Sequence, residues 1–180
     1  MQWVYRKSEL AKAGWQLVVD QSIQGWQHTG LRVGTVSESQ SLTLESAQVE
    51  RLIVILDGDS ASVEYQLSGA SELKTQKLAG RKSVFHGTAD CLYLPAGSSA
   101  AISGNARVAV AEAPTQVTKQ ARYILATEVP VFVRGAGRES RQVHNMGSAE
   151  DLDAARFIVV EVVVPAGNWS GIPPHKHDVF

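Results

Sequence analysis

The chain has 180 residues, 44% of them hydrophobic and 19% charged, a balance that excludes a disordered segment and supports a buried core. Seventeen Lys and Arg against eighteen Asp and Glu give a formal net charge of -1 with no basic tract, which excludes the electrostatic footprint of a nucleic-acid binder. One cysteine, Cys91, excludes an intrachain disulfide framework, and the length suits one large domain or two small ones.

The start Met1-Gln2-Trp3-Val4-Tyr5-Arg6 has neither the basic n-region nor the apolar h-region of a signal peptide, so a cytoplasmic location is expected. Period-two alternation and β-branched runs recur along the chain while helix-period stretches are few, which reads as all-β. The first predicted strands are Trp15 to Asp20 and Leu31 to Val36. A hairpin is predicted between Glu50 and Leu67, with Arg51 to Leu56 turning at Asp57-Gly58-Asp59 into Ala61 to Tyr65, because Asp-Gly supplies the positive φ of a tight turn. Cys91 to Leu94, Ala100 to Ser103 and Arg107 to Ala111 follow as short strands, a spacing that suits a sandwich or small barrel. Pro114 to Gln120 is a looser polar stretch, and a domain boundary is expected there. Strands resume at Ala121 to Ala126 and Val129 to Val133. Ser148-Ala149-Glu150-Asp151 has capping-box spacing and predicts a short helix over Ala149 to Arg156. The most hydrophobic strand, Phe157 to Val164, comes next. The apolar run from Phe157 to Pro165, interrupted by Glu161, is about half of the roughly 20 residues a membrane helix needs, so no membrane partner is expected. A turn-rich loop from Pro165 to Pro174 then leads into His175-Lys176-His177-Asp178-Val179-Phe180.

His175 and His177 are the sharpest chemical feature. Residues two apart in an extended segment face the same side, so both imidazoles can converge on one transition metal ion. Arg138 and Arg141, in a glycine-rich segment, are candidates to clamp a sugar carboxylate, a task that suits the planar guanidinium; a solvated charged loop is the plainer reading. His144 is a weaker candidate for a third ligand or proton carrier. Cys91 reads as a small buried hydrophobe, and His28 and His86 as surface or hydrogen-bonded structural residues. Ser83, Ser140 and Ser170 lack the His and acid order of a nucleophilic triad, and no Walker or Rossmann glycine fingerprint occurs.

A strong β run, a Gly and Pro rich loop and then H-x-H resembles the first metal-binding motif of the cupin superfamily, here Gly167-x7-His175-x-His177. Gly167-Asn168-Trp169-Ser170 with Pro173-Pro174-His175-Lys176-His177-Asp178 resembles the signature segment of the IolB family of 5-deoxy-glucuronate isomerases, related to the 5-keto-4-deoxyuronate isomerases of pectin breakdown. Gly80 to Phe85 followed by Leu92 to Gly97, and Arg134 to Val143 before Asn145, resemble the same family. The resemblance implies a bicupin of jelly-roll barrels: residues 1–115 as a metal-free cupin, in which Ala100 stands where a metal His would be, and residues 116–180 as the first half of a metal-binding cupin. It further implies isomerisation of 5-deoxy-D-glucuronate to 5-dehydro-2-deoxy-D-gluconate in myo-inositol catabolism, with a divalent metal, Zn or Mn, at His175 and His177. The remaining Glu and His ligands of a cupin would fall beyond Phe180. Metal is therefore expected to be held weakly or not at all, and the second barrel to stay open, with strand edges on which a homo-oligomer can form. The alternative functions are a catalytically inactive binding or structural module, and isomerisation of 5-keto-4-deoxyuronate.

Overall fold

A computed structural model describes residues 4–6, 8–147 and 152–171. Among them the chain is nearly all β, in two antiparallel sheets. The first has eight strands: β1 (Leu17–Val19), β2 (Gly30–Val36), β3 (Leu42–Leu44), β4 (Val49–Gln66), β5 (Leu73–Arg81), β6 (Cys91–Leu94), β7 (Ser99–Pro114) and β8 (Arg122–Ile124). They run in the order β1-β2-β7-β4-β6-β8, with β3 also on β7 and β5 also on β4. The second sheet has β10 (Arg141–Gly147) between β9 (Val131–Arg134) and β11 (Val159–Val163). No helix among the described residues is long and apolar enough to cross a membrane.

Two predicted elements merge into longer ones. Asp57-Gly58-Asp59 is a bulged stretch inside β4 and not a hairpin turn; β4 stays paired with β7 from Val49↔Pro114 to Gln66↔Ser99, with register shifts between Ile55 and Asp57 and between Gly58 and Ser60. Gly58 does carry the positive φ its neighbourhood suggested, at 116°, but it serves close approach: a Cβ there would lie 2.5 Å from the Ala106 Cα. A single slip would turn every later side chain to the other face. Two slips cancel, so Ile53, Ile55, Ala61 and Val63 all enter one core. The true turn from β4 to β5 comes later, closed by Ala70 N–H donating to Leu67 O at 3.1 Å. Likewise Ala100 to Ser103 and Arg107 to Ala111 are one strand, β7.

The predicted helix over 149–156 does not extend past Leu152. Residues 149–151 lie outside the described residues, Asp153 is left-handed at φ 53°, and 154–156 are irregular. The amides of Ala155 and Arg156 donate instead to the Glu50 carboxylate.

The first part of β4, residues 50–55, and all of β6 are buried on both faces. Ile53, Ile55, Leu92 and Leu94 fill a core with Val36, Leu42, Ile102 and Val108, while Leu52, Val54, Cys91 and Tyr93 point the other way into a second core with Ile124, Met146, Leu152 and Phe157. Double burial explains why both strands read as unbroken apolar runs. At the start of β4 the buried Arg51 donates to Glu112 Oε1 at 2.8 Å, Ser98 O at 2.8 Å and Glu45 O at 2.9 Å, and Glu112 also accepts from Arg32. The charge is thus paired and its donors are used.

Candidate functional site

The second core joins the two sheets, and three carboxylates of very different sequence position brace it, Glu50 and Glu161 across the join and Asp90 within the first sheet and the turn that follows it. Glu50, wholly buried beside Arg51, accepts the Tyr93 hydroxyl at 2.8 Å and the backbone N–H groups of Ala155 at 2.7 Å, Arg156 at 2.6 Å and Phe157 at 3.1 Å. One side chain therefore ends the chain's approach to β11, and the Phe157 ring packs edge-on to Tyr93 at 6.0 Å. Burial, then the bond to Glu50, pushes the Tyr93 hydroxyl above the usual phenol range. Asp90 accepts from Ala79 N–H at 2.8 Å, Ala126 N–H at 2.9 Å and the Tyr123 hydroxyl, tying β5, β8 and the 3-10 turn at Ala126–Glu128 together. Beside it Cys91 is fully buried, and burial pushes its thiol up to about 12, which leaves it inert as a nucleophile.

The third carboxylate is Glu161. Arg81, at the end of β5, meets it as a fork, Nη1 to Oε2 at 2.8 Å and Nη2 to Oε1 at 2.6 Å, and also donates to the carbonyls of Ile55 and Gly87. His144 Nδ1 lies 2.9 Å from Glu161 Oε2, and the two residues are opposite each other on β10 and β11. Burial by itself raises the Glu161 carboxyl, but the hydrogen bonds from Arg81 and His144, with their charges, win and hold it below the usual carboxylate range. His144 and Glu161 have metal-ligand chemistry, yet the arginine fork already occupies the carboxylate, and no group of three or more His, Cys, Asp or Glu among the described residues is arranged to hold a metal. His144 is a buried partner of Glu161 on the face turned to the first sheet.

The opposite face of the second sheet is open. Register sets Phe132, Arg134, Arg141, Val143, Val160 and Val162 on it, and Phe132, Val160 and Val162 are each at least 40% exposed. Arg141 is therefore a strand residue of β10 directly opposite Arg134 of β9, whereas Arg138 is exposed in the 3-10 turn Gly137–Glu139 that joins them. The loop after β11 folds back on this turn: Trp169 N–H donates to Arg138 O at 2.8 Å and Asn168 Nδ2 to Ser140 O at 2.8 Å. That loop runs toward His175 and His177, which lie outside the described residues. Elsewhere, Ser83 Oγ lies 3.1 Å from His86 Nδ1 in an exposed pair joined by no carboxylate among the described residues. An open cleft of about 910 Å³, lined in part by Arg6, Lys12, Trp15 and Arg107, lies on the first sheet, and neither Arg138 nor Arg141 borders it.

The chain matches the KduI/IolB family over residues 3–179. It belongs to the KduI/IolB family. Proteins named 5-deoxy-glucuronate isomerase are similar to it: that of Geobacillus kaustophilus strain HTA426 is 36% identical over 157 residues, covering 86% of this chain and 54% of the relative. The one from Geobacillus thermodenitrificans strain NG80-2 is 33% identical over 157 residues, covering 86% and 55%. The chain thus spans about half the length of the curated relatives it matches. A crystal structure of an IolB-like protein from Salmonella typhimurium LT2 superimposes with a TM-score of 0.79 at 30% identity, covering 94% of this chain and 63% of that one. The fold of this KduI/IolB member is accordingly the all-β cupin type.

Sequence reasoning missed Glu50, Arg81 and Arg134. It noticed Glu161 only as an interruption in an apolar run. A lone acid inside a Val-rich strand was the available signal, since such a group is stable only when paired.

Proposed function

We propose that this KduI/IolB chain serves the isomerisation of 5-deoxy-D-glucuronate to 5-dehydro-2-deoxy-D-gluconate, a step of myo-inositol catabolism. The observation that carries the reading is a coincidence of position: the loop leading to the H-x-H pair is hydrogen-bonded to the turn that bears Arg138, next to Arg141. Cationic groups suited to a sugar carboxylate thus lie against the loop that precedes, in sequence, the two imidazoles suited to a divalent ion. The relatives' names supply the substrate, and they favour the deoxy-glucuronate over 5-keto-4-deoxyuronate.

The reaction moves one proton between neighbouring carbons, with the carbonyl and hydroxyl exchanging places through an enediol. His175 and His177 would hold the metal, and two imidazoles two residues apart are a donor set that Zn or Mn accepts. When bound, such an ion polarises the substrate carbonyl and stabilises the oxyanion that forms as the proton leaves. Arg138 and Arg141 hold the carboxylate and so orient the reacting end. His144, turned to the other face and tied to Glu161, does not carry the proton.

The test is conversion of 5-deoxy-D-glucuronate by the chain supplied with Zn or Mn, followed by proton NMR of the product. Ketose formation that His175→Ala or His177→Ala abolishes is the expected result. No turnover with either metal overturns the proposal, and turnover of 5-keto-4-deoxyuronate in its place would reassign the substrate.

A further inference from the structure

We propose that Arg134 and Arg141 together form a carboxylate-binding site, with Arg134 as the residue that sequence spacing could not reveal. The substrate class rests on the isomerase reading above; the existence of the site rests on the sheet. Arg141 and Arg134 are direct cross-strand partners. Side chains in that relation have Cβ atoms about 5 Å apart, and like charges so placed repel. Among the described residues no carboxylate lies within salt-bridge distance of either guanidinium, in contrast to Arg32, Arg51 and Arg81. Two guanidinium groups carried by facing strand positions, neither paired with a carboxylate among the described residues, can each donate a hydrogen bond to one carboxylate ligand.

Both side chains are held in position. The Arg134 guanidinium carbon lies 5.1 Å from the centre of the Phe132 ring, a cation–π contact along the same strand face. Arg141 donates from Nη1 to Glu139 O at 3.2 Å, which leaves its other N–H groups to a ligand. That contact depends on Gly135: its φ is 80°, and a Cβ there would lie 2.2 Å from Glu139 O and 3.2 Å from Arg141 Nη1. Only glycine lets the turn close this tightly under the arginine. Next to the pair, Phe132, Val143 and Val162 form an apolar floor on the same face, which suits the carbon skeleton of a sugar acid better than a small inorganic anion.

The experiment is an amide NMR titration of the 180-residue chain with D-glucuronate, with its neutral analogue D-glucuronamide and with inorganic phosphate. D-glucuronate is expected to shift resonances of β9 and β10 and to bind about tenfold or more tightly than D-glucuronamide, as loss of a charge-assisted hydrogen bond implies. Arg134→Gln and Arg141→Gln should each weaken D-glucuronate binding about tenfold, Arg141→Lys less, and Arg107→Gln on the first sheet not at all. Absence of binding to the unaltered chain, equal affinity for the amide, or unchanged affinity in both Gln variants overturns the proposal. Phosphate binding as tightly as D-glucuronate overturns the carboxylate assignment. The titration needs neither metal nor turnover, so a failed isomerase assay beside the expected titration removes the catalytic reading alone.

Discussion

Two strands of this protein read almost alike and end in opposite environments. β6, Cys91-Leu92-Tyr93-Leu94, is buried at every residue; β9, Val131-Phe132-Val133-Arg134, is exposed at every residue. β6 lies between β4 and β8 and is covered on both faces, whereas β9 is an edge strand of the second sheet. An apolar run therefore announces a strand, and the layers around it decide its burial. The second sheet sharpens the contrast, because a hydrogen-bonded pair is turned inward and apolar side chains outward: His144 and Glu161 face the first sheet with Met146 and Val159, and Phe132, Val160 and Val162 face away beside Arg134 and Arg141. The join between the sheets depends on hydrogen-bonded carboxylates as much as on apolar packing.

The largest break in that join should come from Glu50→Ala. It strands the Tyr93 hydroxyl and three backbone amides at a buried position, which at roughly 1 kcal/mol or more each amounts to about 4 kcal/mol. Denaturant unfolding should register the loss, and hydrogen exchange should show residues 155–163 losing protection ahead of β4 and β7. Uniform loss of protection in both sheets would mean that Glu50 holds the whole fold and not the join.

Arg81→Met is next, at about 3 kcal/mol, because it leaves Glu161 with His144 alone. It carries a pH signature. Glu161 titrates below its ordinary 4.5 in the folded protein, so its contribution is complete above that value and is lost as pH falls below it. Stability measured between pH 5 and 3 should fall more steeply in the unaltered protein than in Glu161→Gln, which has no proton to take up there. Parallel pH profiles would show that Arg81 and His144 together do not hold the carboxyl low.

Much of the first sheet was legible because double burial writes itself as continuous hydrophobicity. The error at Asp57-Gly58-Asp59 has a local cause: a tight turn and a bulge both need a positive φ, and Asp-Gly serves either. β5, Leu73–Arg81, escaped prediction because Leu78 and Arg81 are its only buried residues. The site divides in the same manner. Arg141 stood out beside its glycines, but its partner Arg134 emerges only from strand register. The Arg81–Glu161 pair spans 80 positions and joins two sheets, so no window of sequence contains it. Backbone pairing, and not composition, brings such groups together.

The smallest expected effect separates the two faces of the second sheet most cleanly. Met146, 3% exposed, packs in the shared core with Tyr93 and Phe157, and Met146→Ala should cost about 2–3 kcal/mol as lost burial plus cavity. Val162, 40% exposed on the other face, buries little against the rest of the chain, and Val162→Thr keeps its β-branching while adding a hydroxyl that water can solvate. Its cost in dilute solution should stay within about 0.5 kcal/mol. The same substitution measured across a hundredfold range of protein concentration decides what the open face does. A Val162→Thr cost that stays small throughout means that the face remains in water; a cost that grows with concentration means that a second copy of the chain covers it, since only association makes stability depend on concentration.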